Sequence, residues 1–226
     1  MKPWLQLSSS DLADQLPDGE DQEVHFPAAL VEAILSEYTT PGQTVLDPFA
    51  GFGTTLVTAE VMNRRAIGVE LLPDRVDLIR SRLTGAGTVE VINGDARKLS
   101  TLVDGPVDLC LTSPPYMDAV DHPENPLNAY ETLDGDYATY LDEIAAVFGQ
   151  VASLLRPGGH AIVNVANMRV DDRVTTLAWD VGRAISRHLT LRQESFLCWD
   201  RQPEWLTGDY CLVFQRPVDS TGHPYP

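Results

Sequence analysis

The sequence predicts an α/β fold: a seven-stranded, mostly parallel sheet between helical layers, with one antiparallel strand near the edge. Three observations carry that reading. Short β-branched and leucine-rich runs alternate with stretches whose apolar residues recur at helical spacing. The run Thr44-Val45-Leu46 passes into Asp47-Pro48-Phe49-Ala50-Gly51-Phe52-Gly53-Thr54-Thr55 and then into a helical stretch over 56–62, which makes a strand, a glycine loop and a helix. The last two strand-like runs, 191–199 and 210–215, are separated by the loop Arg201-Gln202-Pro203-Glu204-Trp205. With no helical crossover between them they are expected to pair antiparallel.

Taken in order, residues 1–24 are polar and acidic with a turn signal at Pro17-Asp18-Gly19, and read as a loosely attached extension with a short helix after Ser10-Asp11. His25-Phe26-Pro27 opens a helix in which Leu30, Ile34 and Leu35 share a face. Arg65-Ala66-Ile67-Gly68-Val69-Glu70 is the second strand, and Pro73 starts a helix with Val76, Ile79 and Leu83 on one side. Thr88 to Asn93 is the third strand, and Asp95 suits the N-cap of the short segment 96–102. The fourth strand, 107–111, delivers Thr112-Ser113-Pro114-Pro115-Tyr116 to the same edge as the glycine loop. Residues 117–136, rich in Asp, Pro and Asn, are a lid, a pocket wall or a solvated insertion. A long helix over 137–155 turns Tyr140, Ile144, Val147, Val151 and Leu155 inward and stops at Pro157-Gly158-Gly159. The fifth strand, 160–165, ends in Ala166-Asn167-Met168-Arg169, and a helix follows over 175–188. The divisions expected are an extension at 1–24, one folded domain at 25–216 and a tail at 217–226.

A chain of 226 residues with 43% hydrophobic content has enough apolar matter for one sizeable core. Apolar runs fall short of the ~18 residues that span a membrane, and no basic-then-apolar leader opens the chain. The three cysteines, Cys110, Cys198 and Cys211, lack metal spacing, so reduced thiols, a cytoplasmic location and no metal are expected. The net charge of −17 is unevenly spread: residues 99–155 hold ten acidic residues and no Lys or Arg. Positive charge concentrates around Arg64-Arg65 and from Arg169 to Arg192, the best sequence candidates for a nucleic-acid face.

The glycine loop lets the backbone turn tightly and approach a ligand. It lacks the third glycine of a dinucleotide fingerprint, and Asp47 at the strand end suits a cationic group better than a pyrophosphate. Glu70 lies 23 positions after Asp47, near the spacing at which an acidic residue accepts both ribose hydroxyls. The Asp47–Thr55 run resembles motif I of the S-adenosylmethionine-dependent amino-methyltransferases. Ser113-Pro114-Pro115-Tyr116 resembles their catalytic motif, in the form found in enzymes that methylate the exocyclic N4 of cytosine. His25-Phe26-Pro27 resembles their motif X, giving the order X, I, catalytic loop.

The resemblance implies the class I methyltransferase fold, a methyltransferase domain at 25–216 and S-adenosyl-L-methionine as cofactor. It places His25, Phe26, Pro27, Asp47, Pro48, Phe49, Gly51, Gly53, Thr54, Thr55, Glu70, Leu71, Asp95 and Ala96 around that cofactor, with Asp95 at the adenine edge and Leu71 on the ring. It makes Ser113, Pro114, Pro115 and Tyr116 the amine-binding loop: Ser113 and the Pro114 carbonyl accept from the amine, and Tyr116 stacks on the base. Asn167 and Arg169 are candidate substrate contacts. Trp199 and Trp205 are either base-stacking or buried. The implied activity is methylation of an exocyclic amine on a base, N4 of cytosine in DNA foremost, with RNA and small-molecule amines as alternatives. A recognition partner or a homodimer fits the short stretch after the fifth strand.

Overall fold

Strand β2 (Thr44–Asp47) is buried along its whole length, as a parallel strand covered on both faces must be. The computed structural model describes residues 1–10, 26–119 and 123–218. Around β2 it arranges β1 (Trp4–Leu7), β3 (Arg65–Glu70), β4 (Val89–Asn93), β5 (Val107–Thr112), β6 (Leu155–Val170), β7 (Arg173–Thr175), β8 (Thr190–Trp199) and β9 (Leu206–Gln215). The sheet order is β1-β8-β9-β6-β5-β2-β3-β4, with β7 paired to β6. Pairings from β4 across to β6 are parallel, and β9 runs antiparallel to both its neighbours. This is the expected sheet with one antiparallel member, extended by β1 and β7.

Consecutive strand residues point to opposite faces, and each face has its own core. Val45, Leu109, Leu111 and Ile162 pack with helices α1 (Ala28–Tyr38), α2 (Thr54–Val61) and α3 (Pro73–Arg82) through Leu30, Ile34, Leu35, Leu56 and Ile79. Leu46, Cys110, Ala161 and Val163 pack on the other side with α4 (Leu99–Leu102), α5 (Tyr137–Leu154) and α6 (Leu177–Ile185). The inward residues predicted for α5, from Tyr140 to Leu155, are all buried, each worth roughly 1.5–3 kcal/mol. Cys110 and Cys211 are buried thiols. Among the described residues no helix is long and apolar enough to cross a membrane.

Three expectations change. Residues 4–7 are not a loose extension: they form β1, which adds to the sheet edge in parallel register, Trp4 opposite Phe196 and Leu7 opposite Trp199. The helix expected after Ser10-Asp11 lies outside the described residues. The fifth strand does not end at Val165. It runs on as β6 to Val170 and folds back through β7, with Val170 opposite Arg173. Thr175 on β7 then donates to Asp118 and accepts from the Ala119 amide at 3.1 Å, anchoring the chain just after Tyr116.

The third change concerns Arg64, placed by its sequence in a possible nucleic-acid face. It is buried at 7% exposure. Its guanidinium donates to the Met62 carbonyl at 2.7 Å, the Leu35 carbonyl at 3.3 Å and the Thr39 carbonyl and hydroxyl at 3.0 and 3.1 Å. These include carbonyls at the C-terminal ends of α1 and α2, where the helical hydrogen-bond ladder runs out. Arg64 therefore closes two helices with four of its five N–H donors and is buried away from any phosphate. Replacing it strands buried acceptors at about 1–3 kcal/mol each. Arg64→Met is expected to lose about 2–4 kcal/mol in urea unfolding, and exposed Arg65→Met less than about 0.5 kcal/mol.

Candidate active site

The ends of β2, β3, β4 and β5 open onto one cavity of about 470 Å³, within the ~300–1,000 Å³ of small-molecule sites. Phe26, Asp47, Pro48, Phe49, Gly51, Thr54, Thr55, Glu70, Leu71, Asp95 and Ala96 all line it. So do Ser113, Pro114, Pro115 and Tyr116, on the wall supplied by β5. The two sequence runs thus meet around one space although they lie far apart in the chain. Of the remaining predicted residues, His25 is outside the described residues. Pro27 precedes α1 as its N-cap. Gly53 stands behind the cavity wall with φ +80°, where a Cβ would come within 2.8 Å of the Ile79 side chain.

Asp47 is nearly inaccessible. Its Oδ1 accepts from the Thr112 hydroxyl at 2.6 Å and the Phe49 amide at 3.1 Å. Burial pushes its carboxyl up to about 6 against those bonds, with the nearby Glu70 charge adding to the rise. The Thr55 hydroxyl stands close enough to favour the ionised form, yet outside hydrogen-bond geometry, and is buried without another partner. A buried carboxylate and an orphaned hydroxyl at the end of an open cavity fit a ligand carrying a cationic, hydrogen-bonding group.

Glu70 already holds the loops in shape. Its Oε2 accepts from the Gly51 amide and its Oε1 from the Leu72 amide, both at 2.9 Å. Gly51 takes φ +53°, a conformation costly for residues with a Cβ. Asp95 does cap its segment, accepting from the Arg97 amide at 2.9 Å, but both its oxygens also bind the Arg97 guanidinium at 2.9–3.0 Å. Burial raises the Asp95 carboxyl, and the hydrogen bonds and charge of Arg97 outweigh it, so the group lies below its ordinary value. Arg97 reaches further, to Glu143 on α5 at 3.1 Å and Asn128 at 2.5 Å.

On the opposite wall, the Pro115 carbonyl accepts from the Tyr140 hydroxyl at 2.9 Å and the Tyr116 carbonyl from the Tyr130 hydroxyl at 2.7 Å. The Tyr116 ring lines the cavity. Burial pushes its phenol far up, with the Asp209 charge adding and Ser113 and the Ala166 backbone opposing. Asp209 is itself buried and raised to about 6 by that burial. It accepts from Asn164 at 2.7 Å and from the Trp199 indole at 2.8 Å.

Sequence reasoning missed Phe52, Arg75, Pro126, Leu127, Ala129 and Tyr130, which also line the cavity, as do Ala50, Val69, Leu72 and Gly94. Of the meanings left open for 117–136, the pocket wall is the one these residues take. Arg75 lies 5.0 Å from the centre of the Phe52 ring. Asn167 and Arg169 do not line the cavity. Asn167 is buried and accepts from the Ala178 amide at 2.9 Å, near the start of α6, and Arg169 is exposed.

Residues 4–81 match the family model of the N6/N4 DNA methylases. Across its first third, the chain is similar to the DNA amino-methyltransferases. The Type II methyltransferase M.Cfr9I of Citrobacter freundii is 41% identical over 63 residues, 28% of this chain and 21% of that protein. The 4-amino-L-phenylalanine/4-methylamino-L-phenylalanine methyltransferase of Streptomyces pristinaespiralis is 32% identical over 156 residues, 64% of this chain and 51% of that protein. The chain spans about half or less of these curated relatives. The crystal structure of TrmN from Thermus thermophilus superposes with a TM-score of 0.60 at 20% identity, over 84% of this chain and 49% of that one. The fold is that of the class I methyltransferases, and S-adenosyl-L-methionine is the cofactor that goes with this family.

A cationic ligand group facing Asp47 binds best when Asp47 is ionised. Asp47 titrates at about 6, so S-adenosylhomocysteine affinity is expected to hold above that pH and to fall by up to about tenfold per unit below it. In the empty protein the sign is opposite: ionised Asp47 costs stability above pH 6, and the cost is relieved as pH falls toward the ordinary carboxyl range. Titration calorimetry from pH 5 to 8 measures the first effect. Asp47→Asn is expected to bind weakly and without that slope.

Proposed function

We propose that this protein transfers a methyl group to the exocyclic amine of a nucleic-acid base, N4 of cytosine in DNA being the first expectation. One observation carries the reading: Ser113-Pro114-Pro115-Tyr116 forms a wall of the same cavity as the Asp47–Thr55 loop. S-adenosyl-L-methionine supplies an electrophilic methyl group when bound. Asp47, Glu70 and Asp95 are the residues that would hold its ammonium, ribose and adenine.

The chain's own part is placement. An aromatic amine is a poor nucleophile because its lone pair delocalises into the ring. The Ser113 hydroxyl and the Pro114 carbonyl are the acceptors for its two protons. Accepting both draws the nitrogen toward a pyramidal geometry with its lone pair aimed along the transfer axis. The Tyr116 ring supports the flat face of the base. Holding reacting atoms in line is worth as much as ~7–11 kcal/mol. The product nitrogen then loses a proton, a step that calls for no strong base. A base in a duplex must first be flipped out, and one in a single strand costs less to present.

A second reading has its own support. The match to the amino-phenylalanine methyltransferase runs over 156 residues, against 63 for the Type II methyltransferase, and the acidic surface is poorly suited to a polyanion. A small aromatic amine offers the same nitrogen chemistry to the same loop.

Mass spectrometry of nucleosides from DNA and RNA of expressing cells, together with an in vitro assay on 4-amino-L-phenylalanine, separates the readings. N4-methylcytosine in DNA is the expected mark. A mark confined to RNA moves the substrate there, and methylation of the amino acid alone favours the second reading. Ser113→Ala is expected to lower transfer about 10²-fold, the scale set by loss of one preorganised hydrogen-bond partner, while S-adenosylhomocysteine binding stays within about twofold. Full activity in that variant would remove Ser113 from the mechanism.

A further inference from the structure

We propose that Tyr130 is a positioning residue for the amine-binding loop: its hydroxyl holds the Tyr116 carbonyl so that, of three successive carbonyls, that of Pro114 is the one left for the substrate. The inference rests on the reading above that Ser113 to Tyr116 receives the amine.

Prolines have no amide hydrogen. Pro114 and Pro115 therefore cannot be fixed through their own N–H groups, and the peptide planes of this loop are held by what binds their carbonyls. Tyr140, rooted in α5 at 2% exposure, takes the Pro115 carbonyl at 2.9 Å. Tyr130 takes the Tyr116 carbonyl at 2.7 Å. Among the described residues no hydrogen bond to the Pro114 carbonyl is formed. Two tyrosine hydroxyls thus occupy the competing acceptors, and the free one belongs to Pro114, which lines the cavity.

The segment that carries Tyr130 is built for this contact. Ala129 and Tyr130 both take positive φ, 55° and 62°, a region disfavoured for residues with a Cβ. The turn is held by hydrogen bonds on either side. The Asn125 side chain accepts from the Leu127 amide at 3.0 Å, Asn128 donates to the Thr132 hydroxyl at 3.0 Å, and Arg97 donates to Asn128 at 2.5 Å. This arrangement puts the Tyr130 ring on the cavity wall and its hydroxyl on the loop. Burial raises the phenol to about 12, partly opposed by its bond to Tyr116 and by the Arg75 charge, so the group remains a donor throughout the neutral range.

Tyr130→Phe removes the hydroxyl and keeps the ring. The acceptor for the assay is whichever of DNA, RNA or 4-amino-L-phenylalanine the wild-type protein methylates. Loss of one neutral hydrogen bond is expected to lower kcat roughly five- to tenfold, with KM for S-adenosyl-L-methionine and the Kd of S-adenosylhomocysteine within about twofold. Wild-type kcat in Tyr130→Phe overturns the proposal. So does a parallel loss of kcat and S-adenosylhomocysteine affinity, which would assign Tyr130 to the cofactor pocket instead. Ser113→Ala, run alongside, tests the underlying reading separately. If it keeps full activity, or if wild type methylates none of the three acceptors, that reading fails and the proposal falls with it whatever Tyr130→Phe does.

Discussion

The hydrogen bond from Thr112 to Asp47, 2.6 Å long and buried, joins the two halves of the site. Thr112 is the last residue of β5 and Asp47 the last of β2, adjacent strands of the sheet. Each strand hands over to a functional loop at its next residue. A hydrogen bond to a carboxylate in a buried setting is among the stronger ones, about 1.5–3 kcal/mol net. It also supplies part of what allows a carboxylate to be ionised there at all. The distance between the loop that follows Asp47 and the loop that follows Thr112 is therefore set by sheet geometry and one side-chain bond, and not by flexible chain. Parallel strands ending side by side at one edge produce such a crevice wherever the two loops part.

Much of this was legible in the sequence, and the reasons differ by element. Strands and helices of the central region declare themselves because they are buried on both faces or along one stripe, so their periodicity is strong. The two loops are legible because their chemistry is local: glycines for a turn, an acid at a strand end, two prolines ahead of a tyrosine. Tyr130 and Arg97 were not, because their roles depend on partners from elsewhere in the chain, Tyr116 for one and Asn128 and Glu143 for the other. Arg64 misled for a related reason. An arginine beside another arginine looks like surface charge, and only the folded chain shows the helix ends converging on it. Strand β1 escaped because four residues are too few for a period, and its pairing partner lies at the far end of the sequence.

The charge distribution bears on substrate approach. With Arg64 turned inward, exposed positive charge gathers at Arg169, Arg173, Arg183, Arg187 and Arg192, and Arg187 is paired with Asp142. The cavity wall built by residues 126–130 belongs instead to the stretch of 99–155 that has no basic residue. A polyanion would meet repulsion on that flank, screened at physiological salt beyond ~8 Å. A neutral or zwitterionic amine would not. The nitrogen chemistry proposed for the two is the same; the surface around the cavity is where they part.

Strand β1 has a consequence for how the protein is made. Trp4 finds its place opposite Phe196, so the first strand cannot be paired until nearly the whole sheet-forming sequence has been synthesised. At ~5–20 residues per second that interval is roughly 10–40 s. Over that time Leu7, buried in the finished sheet, has no native strand to lie against. Contacts of such long range carry a loop-closure cost and slow the search for the native state. The β1 edge can be completed only once residues 190–199 have been made, later than β2 to β5 can first meet.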